Sequence, residues 1–293
     1  MKPIQFMKPV QYRVPVPKDR TVFIQEDFLD KFYPHMHCHE EYQLIWIKEG
    51  AGQLLVDDNV HYFEKNDIFL LGSNQAHVFK NDLMYGCVQS ISIFFSLKGA
   101  LSKILNVPEL SMLLDFIDKN GRGFKVPELY LPQVSRRIEA LKNSDSLGQL
   151  VSFFYLLKSL NKLSFKLKPL SGMISHGFGE VGSFRITTLC NFLENNYKEN
   201  IGLNEMAEKA NLTPQAFCRY FKKSTGKTFV SYLNELRVRE ACRLLGGKDY
   251  DCISIVAYDS GFNSITNFNR VFRSILGISP KMYVANYKNL LYE

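Results

Sequence analysis

The chain has 293 residues, 46% hydrophobic and 22% charged, with six cysteines and a formal net charge of +7. That length allows two domains with separate cores, and the balanced composition excludes extended disorder. No apolar run approaches the ~20 residues of a membrane helix, and no C-x-x-C pair suggests a disulfide framework or structural zinc. The first twenty residues lack the apolar stretch of a signal peptide, so a reduced cytoplasmic protein is expected. Residues 183–293 carry a net charge of +5, the other 182 residues only +2. The positive excess therefore sits in the C-terminal third, which permits nucleic-acid binding without requiring it.

Residues 1–34 read as an extended arm with a short strand near Val22–Ile24. From His35 to about Leu97, short β-rich runs follow one another: Tyr42–Lys48, Gln53–Val56, His61–Phe63, Ile68–Leu71, His77–Phe79 and Cys87–Phe95. Turn signals separate them, as at Gly50-Ala51-Gly52 and Asp57-Asp58-Asn59. This spacing predicts a small β-barrel or jelly roll. Residues of one parity share a strand face, so His37, His39 and Gln43 are expected to point inward.

The spacing His37-x-His39-x3-Gln43-x6-Gly50 resembles the first motif of the cupin fold. Asn66, Gly72, Asn74, His77 and Asn81 then match the spacing of the second. Gln43 stands where metal-binding cupins carry an acid, and losing the carboxylate weakens a divalent metal site. The alternative register His35-x-His37-x3-Glu41 restores the acid but breaks the distance to Gly50. The first register is preferred, with no metal and no cofactor expected. His37, His39, Gln43 and His77 then suit hydrogen bonds to a small polar effector such as a carbohydrate. The alternative reading is that some of these histidines sit at the barrel rim and bind nothing. His35 and His61 are assigned to the rim, and Trp46, of opposite parity to Gln43, to packing.

From Ser96 to Ser164 the apolar period changes from two to about 3.6. Helices are predicted over Glu109–Lys119, after Pro132 (stripe Val134, Ile138, Leu141) and over Leu147–Leu163. The last is apolar on more than one face, which favours a homodimer contact over a simple core helix. Residues 165–182, with Gly172, Gly177, Gly179 and Gly182, read as an interdomain linker.

A helix near Phe184 precedes Leu203–Ala210, a turn at Asn211-Leu212, and a helix from Thr213 to Gly226. Thr213 can cap this helix, Pro214 suits its first turn and Gly226 its end. Helix, tight turn, helix is the helix-turn-helix layout. It recurs about 50 residues later: Ala207 matches Ala257, Phe217 matches Phe268, Arg219 matches Arg270, Phe221 matches Phe272, and Gly226 matches Gly277. Between the copies, Phe229–Leu245 forms a strut about 25 Å long at ~1.5 Å per residue. Such a strut suits two reading helices set about one DNA turn apart.

The run Ala207…Phe217-x-Arg219-x-Phe221-Lys222…Gly226, with Ile255-Val256-Ala257…Gly261-Phe262…Phe268-x-Arg270-x-Phe272…Gly277-x-Ser279-Pro280…Tyr283, resembles the AraC family of bacterial transcription regulators. Val284 departs from the family's frequent Arg. The resemblance implies base contacts from Gln215, Cys218 and Arg219 in the first reading helix. In the second it implies Ile265, Thr266, Asn267 and Arg270. Lys222, Lys223 and Arg273 are expected to meet phosphates. Implied partners are double-stranded DNA, a small-molecule effector, a second copy of the chain and RNA polymerase.

The expected fold class is α+β: a cupin-like sensor over 1–97, a helical connector over 98–164, a linker over 165–182 and an all-α double helix-turn-helix over 183–293. The expected function is an effector-responsive transcription regulator, an activator, without enzymatic activity. Two readings stay open beside it. One is a metal-dependent cupin enzyme with a helical appendage, and the other a DNA-binding regulator with an effector-free structural cupin.

Overall fold

The computed structural model describes residues 9–82, 86–171, 185–246 and 252–290, with side chains as far as Ala285. The chain divides into two compact units that meet between Phe184 and Arg185.

The first unit holds ten strands among its described residues: β1 (Val10–Gln11), β2 (Val22–Leu29), β3 (His37–Cys38), β4 (Tyr42–Glu49), β5 (Gly52–Val56), β6 (Asn59–Phe63), β7 (Ile68–Leu71), β8 (His77–Asn81), β9 (Val88–Phe95) and β10 (Phe124–Lys125). They form two five-stranded sheets, in the orders β1-β3-β8-β5-β6 and β10-β7-β4-β9-β2. Every pairing is antiparallel except β1 with β3.

Alternation divides β4 between two cores. Ile45 and Ile47 face the other sheet and meet Leu54, Val56, Phe63, Phe69 and Phe79. Tyr42, Leu44 and Trp46 face the opposite way. There they join Ile68, Leu70, Ile91 and Ile93 beneath four helices: α1 (Ala100–Leu105), α2 (Ser111–Lys119), α3 (Leu131–Lys142) and α4 (Ser146–Asn161). Trp46 thus packs, as its parity predicts.

This placement corrects the expected connector over 98–164. Phe116 and Ile117 of α2, Val134 and Ile138 of α3, and Phe153 and Leu156 of α4 share one core with the sheet. The sheet has two apolar faces and the barrel interior covers only one, so the helices are needed to cover the other. Residues 124–125 also return to the sheet as its edge strand beside β7. Residues 165–171 of the expected linker belong here too. Leu170 donates its N–H to Gly123 O (3.1 Å) and packs inside the barrel core. Residues 172–182, with all four linker glycines, lie outside the described residues.

Two turn positions explain how the chain departs from the cupin pattern. Asn66 and Asn74 stand where that motif has glycine, and both are left-handed (φ 74° and 55°). Asparagine is among the few side chains that tolerate this conformation. Gly50, with φ 107°, ends β4 where the preferred register requires. Asn81 ties the arm down, accepting from Phe32 N–H (3.3 Å) and donating to Asp30 O (2.9 Å).

The second unit comprises α5 (Arg185–Asn196), α6 (Leu203–Lys209), α7 (Pro214–Thr225), α8 (Phe229–Gly246), α9 (Ile253–Asp259), α10 (Ile265–Leu276) and α11 (Pro280–Leu290). The repeat extends to individual hydrogen bonds. Leu212 N–H donates to Ala207 O (2.9 Å) past left-handed Asn211, and Phe262 N–H donates to Ala257 O (3.0 Å) past left-handed Gly261. Both are the 6→1 bond of a Schellman stop. Thr213 Oγ1 then caps α7 by accepting from Ala216 N–H, and Ser264 Oγ caps α10 by accepting from Asn267 N–H. Gly226 and Gly277 end the two helices at φ 73° and 76°.

Each reading helix is seated by aromatic rings. Phe217 and Phe221 of α7 pack on Phe229 and Tyr232 of α8. Phe268 and Phe272 of α10 pack on Phe262 and Tyr283. Val284 is half-buried against the same core. From α8, Arg237 donates to Tyr197 O (2.8 Å) and Glu199 O (2.9 Å), joining the α5–α6 loop to the strut.

Candidate nucleic-acid interface and histidine cluster

α7 and α10 each bury one face and leave the other to solvent. In α7, Phe217, Phe221, Ser224 and Thr225 are buried, while Gln215, Cys218, Arg219, Lys222 and Lys223 are exposed. In α10, Phe268, Val271 and Phe272 are buried, while Ile265, Thr266, Asn267, Arg270 and Arg273 are exposed. The fold brings all ten proposed contact residues to the free faces of two capped helices. Arg270 is held by its own helix, donating from Nη2 to Asn267 Oδ1 (2.8 Å). That contact restrains the guanidinium on the exposed face of α10. Asn269 and Ser274, which sequence reasoning passed over, join Arg270 and Arg273 around an open concavity reaching Ser279. Their polarity is common on helix surfaces, so no periodicity distinguishes them.

The barrel draws together His37, His39, Gln43 and His77. His37 on β3 is the register partner of His77 on β8. Their ring centroids lie 4.4 Å apart, and His39 lies 5.1 Å from His77. His77 is 1% exposed and His39 2%, whereas His37 is half-buried. One ring nitrogen from each lies within 4.8 Å of the others. Burial lowers all three pKa values, that of His77 well below the ordinary 6.5, so the rings are neutral at pH 7.

Their tautomers follow from their partners. Nδ1 of His37 contacts His35 O (2.9 Å), that of His39 contacts Glu41 O (2.9 Å), and that of His77 contacts Gln75 O (2.8 Å). A carbonyl only accepts, so each Nδ1 carries the proton and each Nε2 keeps a lone pair. Gln43 Oε1 stands 3.3 Å from His39 Nε2, and Gln43 Nε2 donates to Ser92 Oγ (3.0 Å). Ser90, further along the same strand face, has a buried hydroxyl without a hydrogen-bond partner.

Of the residues assigned to the rim, His35 is exposed. His61 is half-buried and donates from Nε2 to Leu170 O (2.7 Å), away from the cluster. A separate cavity of about 400 Å³ is lined by Glu41 and by Phe94, whose ring stands 5.5 Å from that of His39, and by none of the four cluster residues. Lys18, Arg20 and Lys98 line it. They escape sequence reasoning because the arm carries no periodicity and only tertiary contact brings it here.

A strand domain with converging polar side chains and an all-α domain with two capped reading helices define a two-domain regulator, one unit for ligand and one for DNA. Family comparison agrees: the model described as a helix-turn-helix domain matches residues 206–286, and that described as an AraC-like ligand binding domain matches residues 22–83. The chain thus carries an AraC-type ligand-binding domain and a helix-turn-helix domain, the pair found in AraC-family transcription regulators. It is 25% identical over 268 residues to the HTH-type transcriptional activator RhaS of Mannheimia succiniciproducens, covering 90% of this chain and 94% of that protein. It is 23% identical over 251 residues to the Msm operon regulatory protein of Streptococcus mutans, covering 85% and 86%. The DNA-binding domain of AdpA, solved in complex with a target DNA, is 30% identical over 35% of this chain and 92% of that domain, with a TM-score of 0.34.

Proposed function

We propose that this chain activates transcription by reading two successive major-groove segments with α7 and α10, under control of a small polar effector held in the barrel. The observation that carries the reading is the duplicated helix. Two copies share their caps and aromatic seats yet differ on the exposed face at a base-contact position, where Gln215 corresponds to Thr266. A repeated scaffold with unlike outer residues fits two unlike half-sites. Arg219 and Arg270 are assigned to guanine edges, and Lys222, Lys223 and Arg273 to phosphates. The test is binding to the promoter beside its own gene against a scrambled duplex of equal length. Equal affinity for the two would end the proposal.

For the effector, His37, His39, Gln43 and His77 supply convergent acceptors and an amide, and a carbohydrate suits them. The cluster is assigned to binding, with no catalytic role. A homodimer contact is assigned to α4, where Leu147, Val151 and Tyr155, spaced four apart, are 70%, 46% and 57% exposed. A cytoplasmic regulator of this type works with RNA polymerase. Among the described residues no helix is long and apolar enough to cross a membrane.

A further inference from the structure

We propose that the cavity between the N-terminal arm and the far end of β9 is a second small-molecule site, which takes an organic monoanion: a carboxylate on a small apolar body. It stands apart from the effector site in the barrel and rests on no part of that reading.

Strand parity locates it. Phe94 and Phe95 are consecutive on β9, so their rings leave opposite faces of the sheet. Phe94 meets His39 on the barrel side, and Phe95 belongs to the core beneath the helices. Both line the cavity, together with Leu101 of α1, and all three are buried. A space reached from both faces of a strand lies beyond its end, outside either core. The arm adds Val16 and residues 18–21 to the wall. At about 400 Å³ the space is near the small end of the range for ligand pockets.

The charges select the ligand's sign and valence. Lys18, Arg20 and Lys98 line the cavity against the carboxylates of Asp19 and Glu41, which leaves an excess of one positive charge. The two acids interfere little. Asp19 is mostly exposed to water, and Glu41 holds its carboxylate 3.9 Å from His39 Nδ1. Lys98 meets Glu40 at 3.3 Å with both side chains mostly exposed, a contact worth little in water.

Arg20 is the anchor. Its side chain is mostly buried, and its Nη1 donates to Gln149 Oε1 of α4 at a long 3.4 Å. Its Nε stands 3.8 Å from Asp19 Oδ2, beyond hydrogen-bond reach. A guanidinium carries five N–H groups in a planar fork that matches a carboxylate. Arg20 is therefore held against the domain, beside a buried aromatic wall, with donors to spare among the described residues. A neutral sugar leaves that charge unmet, and inorganic phosphate leaves the apolar wall unmatched. An apolar carboxylate answers both.

The test uses the full chain and three acids, isovalerate, benzoate and phenylacetate, each beside its uncharged amide. Inorganic phosphate serves as a charge without an apolar body. Titration calorimetry should show one saturable site per chain for at least one acid, at least tenfold tighter than its amide and than phosphate. Arg20→Gln should weaken that acid at least tenfold, and Lys98→Gln at least threefold. Melts without ligand should stay at the wild-type temperature for both. Where Arg20→Gln lowers its own melt, Lys98→Gln alone decides. His37→Ala, in the barrel, should leave acid binding unchanged. Silence from all three acids, an amide or phosphate that binds as tightly as the acid, or binding that both charge variants leave intact overturns the proposal. Loss of acid binding in His37→Ala also overturns it, by placing the anion in the barrel. Sugars screened by thermal shift test the carbohydrate reading separately. A sugar response with silence from the acids removes this site and keeps the effector reading, and acid binding without a sugar response does the reverse.

Discussion

Replacing Arg219 and Lys222 one at a time separates base reading from phosphate binding on a single helix. Both are exposed on α7, one turn or less apart, and neither supports the aromatic seat beneath. Each alanine variant should therefore keep the wild-type melting temperature. If Lys222, Lys223 and Arg273 each neutralise one phosphate, they contribute about −2.7 to the slope of log K against log salt, at ~0.9 per contact. Other cations add a background common to every variant. Lys222→Ala should reduce that contribution to about −1.8, so doubling the salt weakens the three-contact part about 3.5-fold instead of about 6.5-fold. Its preference for the operator over scrambled DNA should survive. Arg219→Ala should leave the slope nearly unchanged and lose about 1–3 kcal/mol of discrimination, a factor of about 5 to 150 in the specific-to-scrambled ratio. Fluorescence anisotropy at four salt concentrations, on operator and scrambled duplexes, reads both quantities. The division of roles fails if both variants change the slope alone, or if Lys222→Ala costs as much discrimination as Arg219→Ala.

Gly261→Ala should destabilise the DNA-binding unit more than Gly277→Ala. Both positions have positive φ, worth about 1–2 kcal/mol against a side chain. At Gly277 the new Cβ meets open space, whereas at Gly261 it meets Tyr197 O at 2.6 Å. Urea unfolding compares the two, and equal midpoints would refute the steric argument. The protein should lose stability in acid, because burial holds His37, His39, His61 and His77 below the ordinary 6.5. A depressed folded pKa gives stability that is fully present above about pH 6.5 and is lost as pH falls toward the folded value, since the unfolded chain takes up the protons first. Thermal melts should hold from pH 7.5 to about 6.5 and fall below it toward pH 5.5, and a flat profile throughout would contradict the burial. Val151→Glu with Tyr155→Glu should leave the fold intact and convert a dimer to a monomer in sedimentation, as both side chains lie on the exposed stripe of α4.

The two domains differ in how far the sequence discloses them, for physical reasons. α7 and α10 are legible because their determinants are local: a cap, a stop glycine and two phenylalanines four apart suffice to place each helix. The strands β4 to β9 are legible for the same reason, as turn residues fall between them. Non-local pairing is not legible. Phe124–Lys125 has no alternation long enough to mark a strand, and only Leu70 and Phe69 opposite make it one. The helices over 100–161 show their apolar stripes clearly, but nothing in a stripe says which surface it covers. Six consecutive buried residues in β4, from Tyr42 to Ile47, were the available sign that the sheet needs a second covering layer. In the histidine cluster, spacing identifies the residues but not their tautomers. His77 finds His37 across a strand pair, and its Nδ1 finds Gln75 O two residues back through the turn.

That difference bears on how each site does its work. The reading helices owe their shape to short-range caps, so an exposed residue on α7 or α10 can change without disturbing the helix. The duplication therefore preserves the Schellman bonds at Ala207 and Ala257 while the outer faces diverge. On the proposed reading, a duplex that inverted the order of two unlike half-sites would offer Gln215 what suits Thr266. The histidine site has the opposite economy. Each ring is oriented by a backbone carbonyl whose position depends on the sheet, so its geometry is only as stable as the pairing of β3 with β8. β3 and β8 share a single register pair among the described residues, His37 with His77. On the proposed reading, an effector bound at these rings would act on the shortest pairing in its sheet. That is where occupancy has most leverage on the order of the domain.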